Sequence, residues 1–147
     1  MKIFLGTDHA GFELKEKIKK WLAEWGYEVE DMGAFAYDEN DDYPRLIRQV
    51  AKKVAEDPKD RLGIVLGASG QGEAIVCNRE KGVRAAVYYG GNREIITLSR
   101  EHNNANVLSF GARFVSDEEA KEGLKLWLET SFPGEERHAR RIAQIDE

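Results

Sequence analysis

The sequence predicts a Rossmann-like α/β fold, a three-layer sandwich around a five-stranded parallel sheet. Five short apolar runs recur along the chain and read as buried strands. Amphipathic helical stretches separate them, as crossovers between parallel strands require. No internal repeat, low-complexity tract or linker interrupts the alternation, so residues 1–147 are expected to form one domain.

Lys2–Thr7 is the first strand, and Asp8-His9-Ala10-Gly11 turns into a helix. That helix carries Phe12, Leu14, Ile18, Trp21, Leu22 and Trp25 at roughly helical spacing, and Gly26 stops it. Tyr27–Met32 is the second strand, followed by a polar loop from Ala34 to Asp42. Tyr43-Pro44 opens a helix through Leu46, Ile47, Val50 and Val54, since proline suits a first helical turn, and Asp57-Pro58 ends it. Leu62–Gly67 is the third strand, and the glycine turn after it leads into a helix to about Glu80. Val83–Tyr89 is the fourth strand, followed by a helix with Ile95, Ile96 and Leu98 that ends near His102. Val107–Phe110 is the fifth strand. Ser116-Asp117-Glu118-Glu119 then has the spacing of a capping box, and Arg137–Ile145 forms a last, strongly charged helix after Pro133-Gly134.

A formal net charge of −5 argues against broad nucleic-acid or membrane affinity. With no signal-peptide or transmembrane run in view, the expected location is the cytoplasm. Cys77 is the single cysteine, which excludes an intrachain disulfide, and its place on the helix after the glycine turn reads as core.

In open α/β sheets, ligands bind outside the carboxyl ends of the strands. After the first strand come Asp8 and His9; Asp8 there also reads as a helix N-cap. After the third come Ala68, Ser69, Gly70, Gln71, Gly72 and Glu73. Such a turn bares backbone N–H groups to an anion or developing oxyanion, and here it adds a hydroxyl and a carboxylate, which phosphate binding alone would not need. His102 and Asn103 follow the fourth strand and its helix, where an asparagine also reads as a helix C-cap, and Arg113 follows the fifth strand. Two of the three histidines, His9 and His102, are thus expected in the crevice. In the last helix Arg137 and Arg141 flank His138 at i and i+4, a repulsive pair that an anionic partner would relieve.

Other chemistries fit poorly. No metal is expected, since the histidines lie far apart and none pair at ligand spacing. Ala68 and Gln71 break the Gly-x-Ser-x-Gly register of a hydrolase nucleophile elbow. The glycines do not form a dinucleotide fingerprint, and a phospho-receiver would need an aspartate where the third strand ends in Gly67.

Gly-Thr-Asp-His-Ala-Gly at 6–11, Asp-Asp-Tyr-Pro at 41–44, Gly-Ala-Ser-Gly-Gln-Gly-Glu at 67–73, Arg-Glu-His-Asn-Asn at 100–104, Gly-Ala-Arg at 111–113 and Arg-His-Ala-Arg-Arg at 137–141 run in one order along the chain. On these motifs the sequence closely resembles the ribose/galactose isomerase family, which holds ribose-5-phosphate isomerase B and the galactose-6-phosphate isomerase subunits. The resemblance implies a metal-independent, cofactor-free aldose–ketose isomerase working through a cis-enediolate. Glu73 would be the base; many members instead carry a cysteine at the position of Gly67, so this chain resembles the glutamate-based branch. Ser69 and the amides of Gly70–Gly72 would hold the enediolate oxygen, with Ala68 and Gln71 lining the substrate. His102 would open the sugar ring with help from Asp8, and Asn103 and Tyr43 would bind the sugar. His9, Arg113, Arg137 and Arg141 would hold the phosphate, with His138 nearby. The resemblance also implies a homodimer, sometimes a tetramer, with sites shared between subunits and helix 134–146 at the interface. Isomerisation of a tetrose or hexose phosphate, or non-catalytic binding of a sugar phosphate, are the alternatives; retention of Glu73, Ser69 and His102 together weighs against mere binding.

Overall fold

The computed structural model describes residues 1–147 and contains one parallel sheet. Its strands are β1 (Lys2–Thr7), β2 (Glu28–Asp31), β3 (Arg61–Gly67), β4 (Ala85–Tyr88) and β5 (Val107–Gly111), in the order β2-β1-β3-β5-β4. Six helices connect and flank them: α1 (Phe12–Glu24), α2 (Tyr43–Ala55), α3 (Gln71–Cys77), α4 (Glu94–Glu101), α5 (Asp117–Glu129) and α6 (Glu136–Ile145). No helix is long and apolar enough to cross a membrane.

Alternation along the strands sorts side chains into two cores. Ile3, Leu5, Leu62, Ile64, Leu66, Leu108 and Phe110 point to one face, where Ile18, Ile96, Leu124 and Trp127 from α1, α4 and α5 meet them. Phe4, Val65 and Val107 point to the other, against Ile47, Val50 and Val54 of α2 and Val76 and Cys77 of α3. The crossovers after β1 and β3 therefore leave the sheet on opposite faces. This opens the crevice between their carboxyl ends. Cys77 is fully buried, and burial pushes its thiol up to about 12, consistent with a core role.

Local chemistry explains the ends of the elements. Pro44 sits in the first turn of α2, and Gly26 adopts φ 82° just beyond α1. At α5 the capping box forms as expected: Ser116 Oγ accepts the Glu119 N–H at 3.1 Å, and Glu119 Oε1 accepts the Ser116 N–H at 3.2 Å. Losing such a cap costs about 1 kcal/mol. Several boundaries differ from the sequence reading by a residue, and three elements are shorter than expected. β2 is Glu28–Asp31, without the flanking residues. β4 starts at Ala85, because the N–H groups of Arg84 and Ala85 donate to the side chains of Asn106 and Asn78. α3 stops at Cys77, where Arg79 and Glu80 turn to carbonyls three residues back.

One ion pair with a fully buried lysine ties the segment after β2 to α1. Lys15 of α1 is fully buried, and its Nζ donates to both Asp31 oxygens at 2.9 Å and to the Ala34 carbonyl at 2.6 Å. Asp31 also accepts the Gly33 N–H, so the start of the 33–42 loop is tied to α1 and β2. Removing Asp31 would strand the buried Lys15 charge, a loss that typically costs about 3–5 kcal/mol.

Candidate active site

The carboxyl ends of β1, β3 and β5 are laced together by hydrogen bonds. Thr7 Oγ1 reaches the Leu66 carbonyl at 3.1 Å, joining the end of β1 to that of β3. The Ala112 and Arg113 N–H groups donate to the Gly67 and Ala68 carbonyls at 2.8 and 3.1 Å. Ser109 Oγ donates to the Gly70 carbonyl at 2.7 Å, and Gly70 takes φ 77°, which glycine adopts without strain. The 67–73 turn is thereby pinned to β5 before its side chains do anything.

Glu73 lies in the first turn of α3 and is buried. Its carboxylate fills the space directly over Gly67, where any side chain on residue 67 would overlap it. Burial raises its pKa above the ordinary carboxylate range and the nearby Asp8 adds to the rise, while a bond from its own N–H opposes them. The dipole of a helix N-terminus would favour the ionised form. Desolvation wins, so the group is a better base when ionised than an exposed glutamate. Ser69 Oγ accepts the Gln71 N–H at 3.3 Å. Gln71 and Glu73 spend their N–H groups on Ser69 Oγ and the Glu73 carboxylate, while the Gly70 and Gly72 N–H groups have no acceptor and are open to an oxyanion. Tyr43, at the start of α2, packs its hydroxyl on Gly72, where a Cβ would come within 2.6 Å of it.

Asp8 caps the turn His9–Gly11, its Oδ1 accepting the Ala10 N–H at 2.9 Å. Asp8 is thus the cap that its position after β1 suggests, and also a buried carboxylate near Glu73. Burial raises its pKa, with the Ala10 N–H and His9 opposing. His9 Nδ1 lies 2.7 Å from Asp41 Oδ1, which also accepts the His9 N–H at 3.1 Å. Asp41 was not singled out from the sequence. It belongs to the 41–44 motif, but nothing in a polar loop marks one aspartate over its neighbours. Asp8, His9 and Asp41 each place a potential ligand atom within 4.8 Å of the others, a closeness that histidine spacing could not reveal. A carboxylate only accepts, so the Nδ1···Oδ1 bond puts a proton where a metal at Nδ1 would sit.

His102 is not in this crevice, contrary to the expectation from sequence. It caps the carboxyl end of α4, which has run back along the sheet. Arg84, the residue before β4, donates its Nε to the Asn103 and Asn104 carbonyls at 3.0 Å. His102 and Asn103 therefore sit at the amino ends of β4 and β5. Gly63 and Gly67 pair with Val107 and Gly111, so the strand ends lie four residues, roughly 13 Å, away along the sheet. Residues that follow a strand and its returning helix end at the opposite pole.

A second cluster forms there. The rings of His102 and His138 stack with centroids 4.2 Å apart and planes 16° from parallel. His138 is the one buried residue of α6, and its Nε2 has no hydrogen-bond partner. Burial lowers its pKa, and His102, Arg137 and Arg141 push the same way against Glu135. Arg137 and Arg141 are exposed; Arg137 lies 3.5 Å from Glu135, and Arg141 has no ion pair. The expected residues thus divide into two groups within one chain: Asp8, His9, Tyr43, Ser69–Glu73 and Arg113 at one pole, and His102, Asn103, Arg137, His138 and Arg141 at the other.

Comparison with known proteins shows the same pattern over nearly the whole chain. The sequence profile described as Ribose/Galactose Isomerase matches residues 3–145. Ribose-5-phosphate isomerase B of Mycolicibacterium paratuberculosis is 43% identical over 142 residues, covering 97% of this chain and 87% of the relative. The Escherichia coli protein of the same name is 41% identical over 144 residues, covering 98% and 93%. Among solved structures, the Mycoplasma genitalium ribose-5-phosphate isomerase B with bound ribulose-5-phosphate superposes with a TM-score of 0.93 at 38% identity, covering 98% of this chain and 93% of that one. The Clostridium thermocellum ribose-5-phosphate isomerase B gives 0.92 at 40% identity, covering 99% and 95%.

Proposed function

This chain belongs to the ribose/galactose isomerase family, and from that premise we propose that it is an aldose–ketose isomerase interconverting D-ribose 5-phosphate and D-ribulose 5-phosphate. One observation carries the reading: a desolvated carboxylate, Glu73, held over Gly67 beside a turn of open amide groups. A phosphate-binding module has no use for such a base.

Glu73 takes the proton from C2 of the open-chain aldose and returns it to C1, while the hydroxyl proton passes from O2 to O1. Ser69 and the amides of Gly70 and Gly72 stabilise the enediolate between these steps, with Ala68 and Gln71 framing it and Tyr43 closing the pocket over Gly72. Base and oxyanion stabilisation are each typically worth ~10²-fold or more. His9 and Arg113 hold the phosphate; Arg113 is close enough to His9 to oppose its protonation.

Ring opening by His102, sugar binding by Asn103 and the phosphate contacts of Arg137 and Arg141 come from a second copy. A homodimer that sets the α4–α6 pole of one subunit against the strand-end pole of the other completes two equivalent sites, with helix 134–146 at the interface. Ile75 on α3 and Ile145 on α6 are 59% and 58% exposed, and these helices carry the two poles. Covering both residues would favour the pairing. The reaction uses no metal and takes place in the cytoplasm.

The test is a coupled isomerase assay of the purified protein over four-, five- and six-carbon aldose phosphates with EDTA present. Turnover is expected and highest on ribose 5-phosphate. Absence of turnover on all of them would contradict the enzyme reading, and loss of activity to EDTA would contradict the metal-free one.

A further inference from the structure

We propose that Asp41 is a positioning residue for His9, locking the imidazole with its Nδ1–H turned to the protein so that Nε2, on the far edge of the ring, is presented to the substrate's phosphate. The phosphate role of His9 is taken from the function proposed above. The hold of Asp41 on His9 stands on geometry alone.

Asp41 Oδ1 grips His9 twice, at Nδ1 (2.7 Å) and at the backbone N–H (3.1 Å), fixing both ring and main chain. Thirty-two residues separate the two, so the contact exists only because the 33–42 loop folds back over the crevice. The Lys15–Asp31 pair anchors the start of that loop, and Tyr37 within it meets the His9 ring edge-on at 6.2 Å. The tautomer follows from donor and acceptor roles. A carboxylate accepts, so Nδ1 carries the proton. Neutral His9 then offers only a lone pair at Nε2, which repels an anion; the imidazolium offers Nε2–H, which binds one. Only the cationic form can donate to the phosphate dianion in this orientation.

The surroundings favour that form. Asp41 Oδ2 is buried without a partner, so no other donor offsets the carboxylate charge beside His9. Within one chain the charged and titratable groups around the ring are Asp8 from the same turn, Asp41 and Tyr37 from the loop, and Arg113 after β5; in the dimer proposed above Arg137 and Arg141 of the second copy approach the same phosphate and oppose the cation as Arg113 does. The Asp41 hydrogen bond is the largest influence on His9 and raises its pKa; burial and Arg113 oppose, and Asp8 assists. The cation is therefore kept at pH values where an ordinary histidine is neutral, and phosphate capture extends to higher pH.

The test is an NMR pH titration of the His9 side chain in phosphate-free protein, its signal identified by loss in His9→Gln. Wild type is compared with Asp41→Asn and Asp41→Glu. We expect the His9 midpoint to fall in Asp41→Asn, with partial return in Asp41→Glu. In parallel, Asp41→Asn should raise KM for ribose 5-phosphate about 10-fold at pH 8 with little change at pH 6 and little change in kcat. An unmoved His9 titration in Asp41→Asn, with Asp41→Glu equally silent, overturns the inference whatever the enzyme turns over. A moved titration with an unchanged KM supports the hold of Asp41 on His9 and instead contradicts the assignment of His9 to the phosphate.

Discussion

The two poles that carry the proposed site are built in different ways. At the strand-end pole, backbone positions are set by the sheet: Gly67, Ala68 and Gly70 all bond to residues in or just after β5, and Asp8 and Glu73 are buried beside them. At the α4–α6 pole the contacts are fewer and mostly made by side chains. α6 buries only His138, stacked on His102, and its far end is tied by one bond from the Gly82 N–H to Asp146 Oδ2 at 3.0 Å. The difference matches the demands on each. Proton transfer needs groups held to within a fraction of an ångström before the substrate arrives. Charge attraction to a phosphate, the part given to Arg137 and Arg141, tolerates a looser scaffold; His102, which must move a proton to open the ring, is the member of that pole held by a stack on a buried side chain, His138.

The sharpest break in this contrast should come at Glu73. Glu73→Gln is expected to lower kcat by about 10²–10⁴-fold with KM nearly unchanged, measured by steady-state kinetics. Near-normal turnover would remove the base assignment. Next comes Gly67→Ala, whose methyl group would overlap the Glu73 carboxylate and drive it from its place. We expect kcat to fall by about 10²-fold while the fold, followed by circular dichroism, persists. Normal kcat in this variant would mean that the base does not work from the position over Gly67.

The looser pole should respond differently. Arg137→Ala or Arg141→Ala is expected to raise KM by about 10-fold each and to leave thermal stability of the phosphate-free protein nearly unchanged, since neither side chain packs within its own chain. A fall in kcat without a change in KM would place these arginines in the chemistry.

The smallest effect is on stability. Glu73 has a folded-state pKa above its ordinary value of 4.5, so folding favours its protonated form. That contribution is fully present below the unfolded pKa and is lost as pH rises through the folded one. Glu73→Gln, inactive, should therefore be more stable than wild type at pH 8, with the difference shrinking towards pH 4, in urea titrations. Equal stability of the two proteins at both pH values would mean that Glu73 is not desolvated.

Most of the fold was legible because the strands are apolar runs and the helices carry explicit start and stop residues, such as Ser116 with Glu119 and Gly26. The strand-end pole was legible for a topological reason: a residue directly after a parallel strand lies at its carboxyl end. The same rule misled for His102, which follows a strand and then a helix that returns to the opposite end. Asp41 was invisible for another reason. Its role depends on how far a polar loop folds back, which no pattern in that loop encodes; the contacts of Lys15 and Asp31 tie down only its start. The start of β4 escaped because two asparagine side chains, not the strand pattern, satisfy the backbone there.

The central claim, that a working site takes one pole from each of two chains, is open to subunit complementation. Glu73→Gln and His102→Asn should each be nearly inactive alone. Co-refolded in equal amounts, half of the dimers would be mixed, each with one intact site, restoring about a quarter of wild-type activity. Recovery of that size is the result expected; a mixture as inactive as its parents would contradict the shared site.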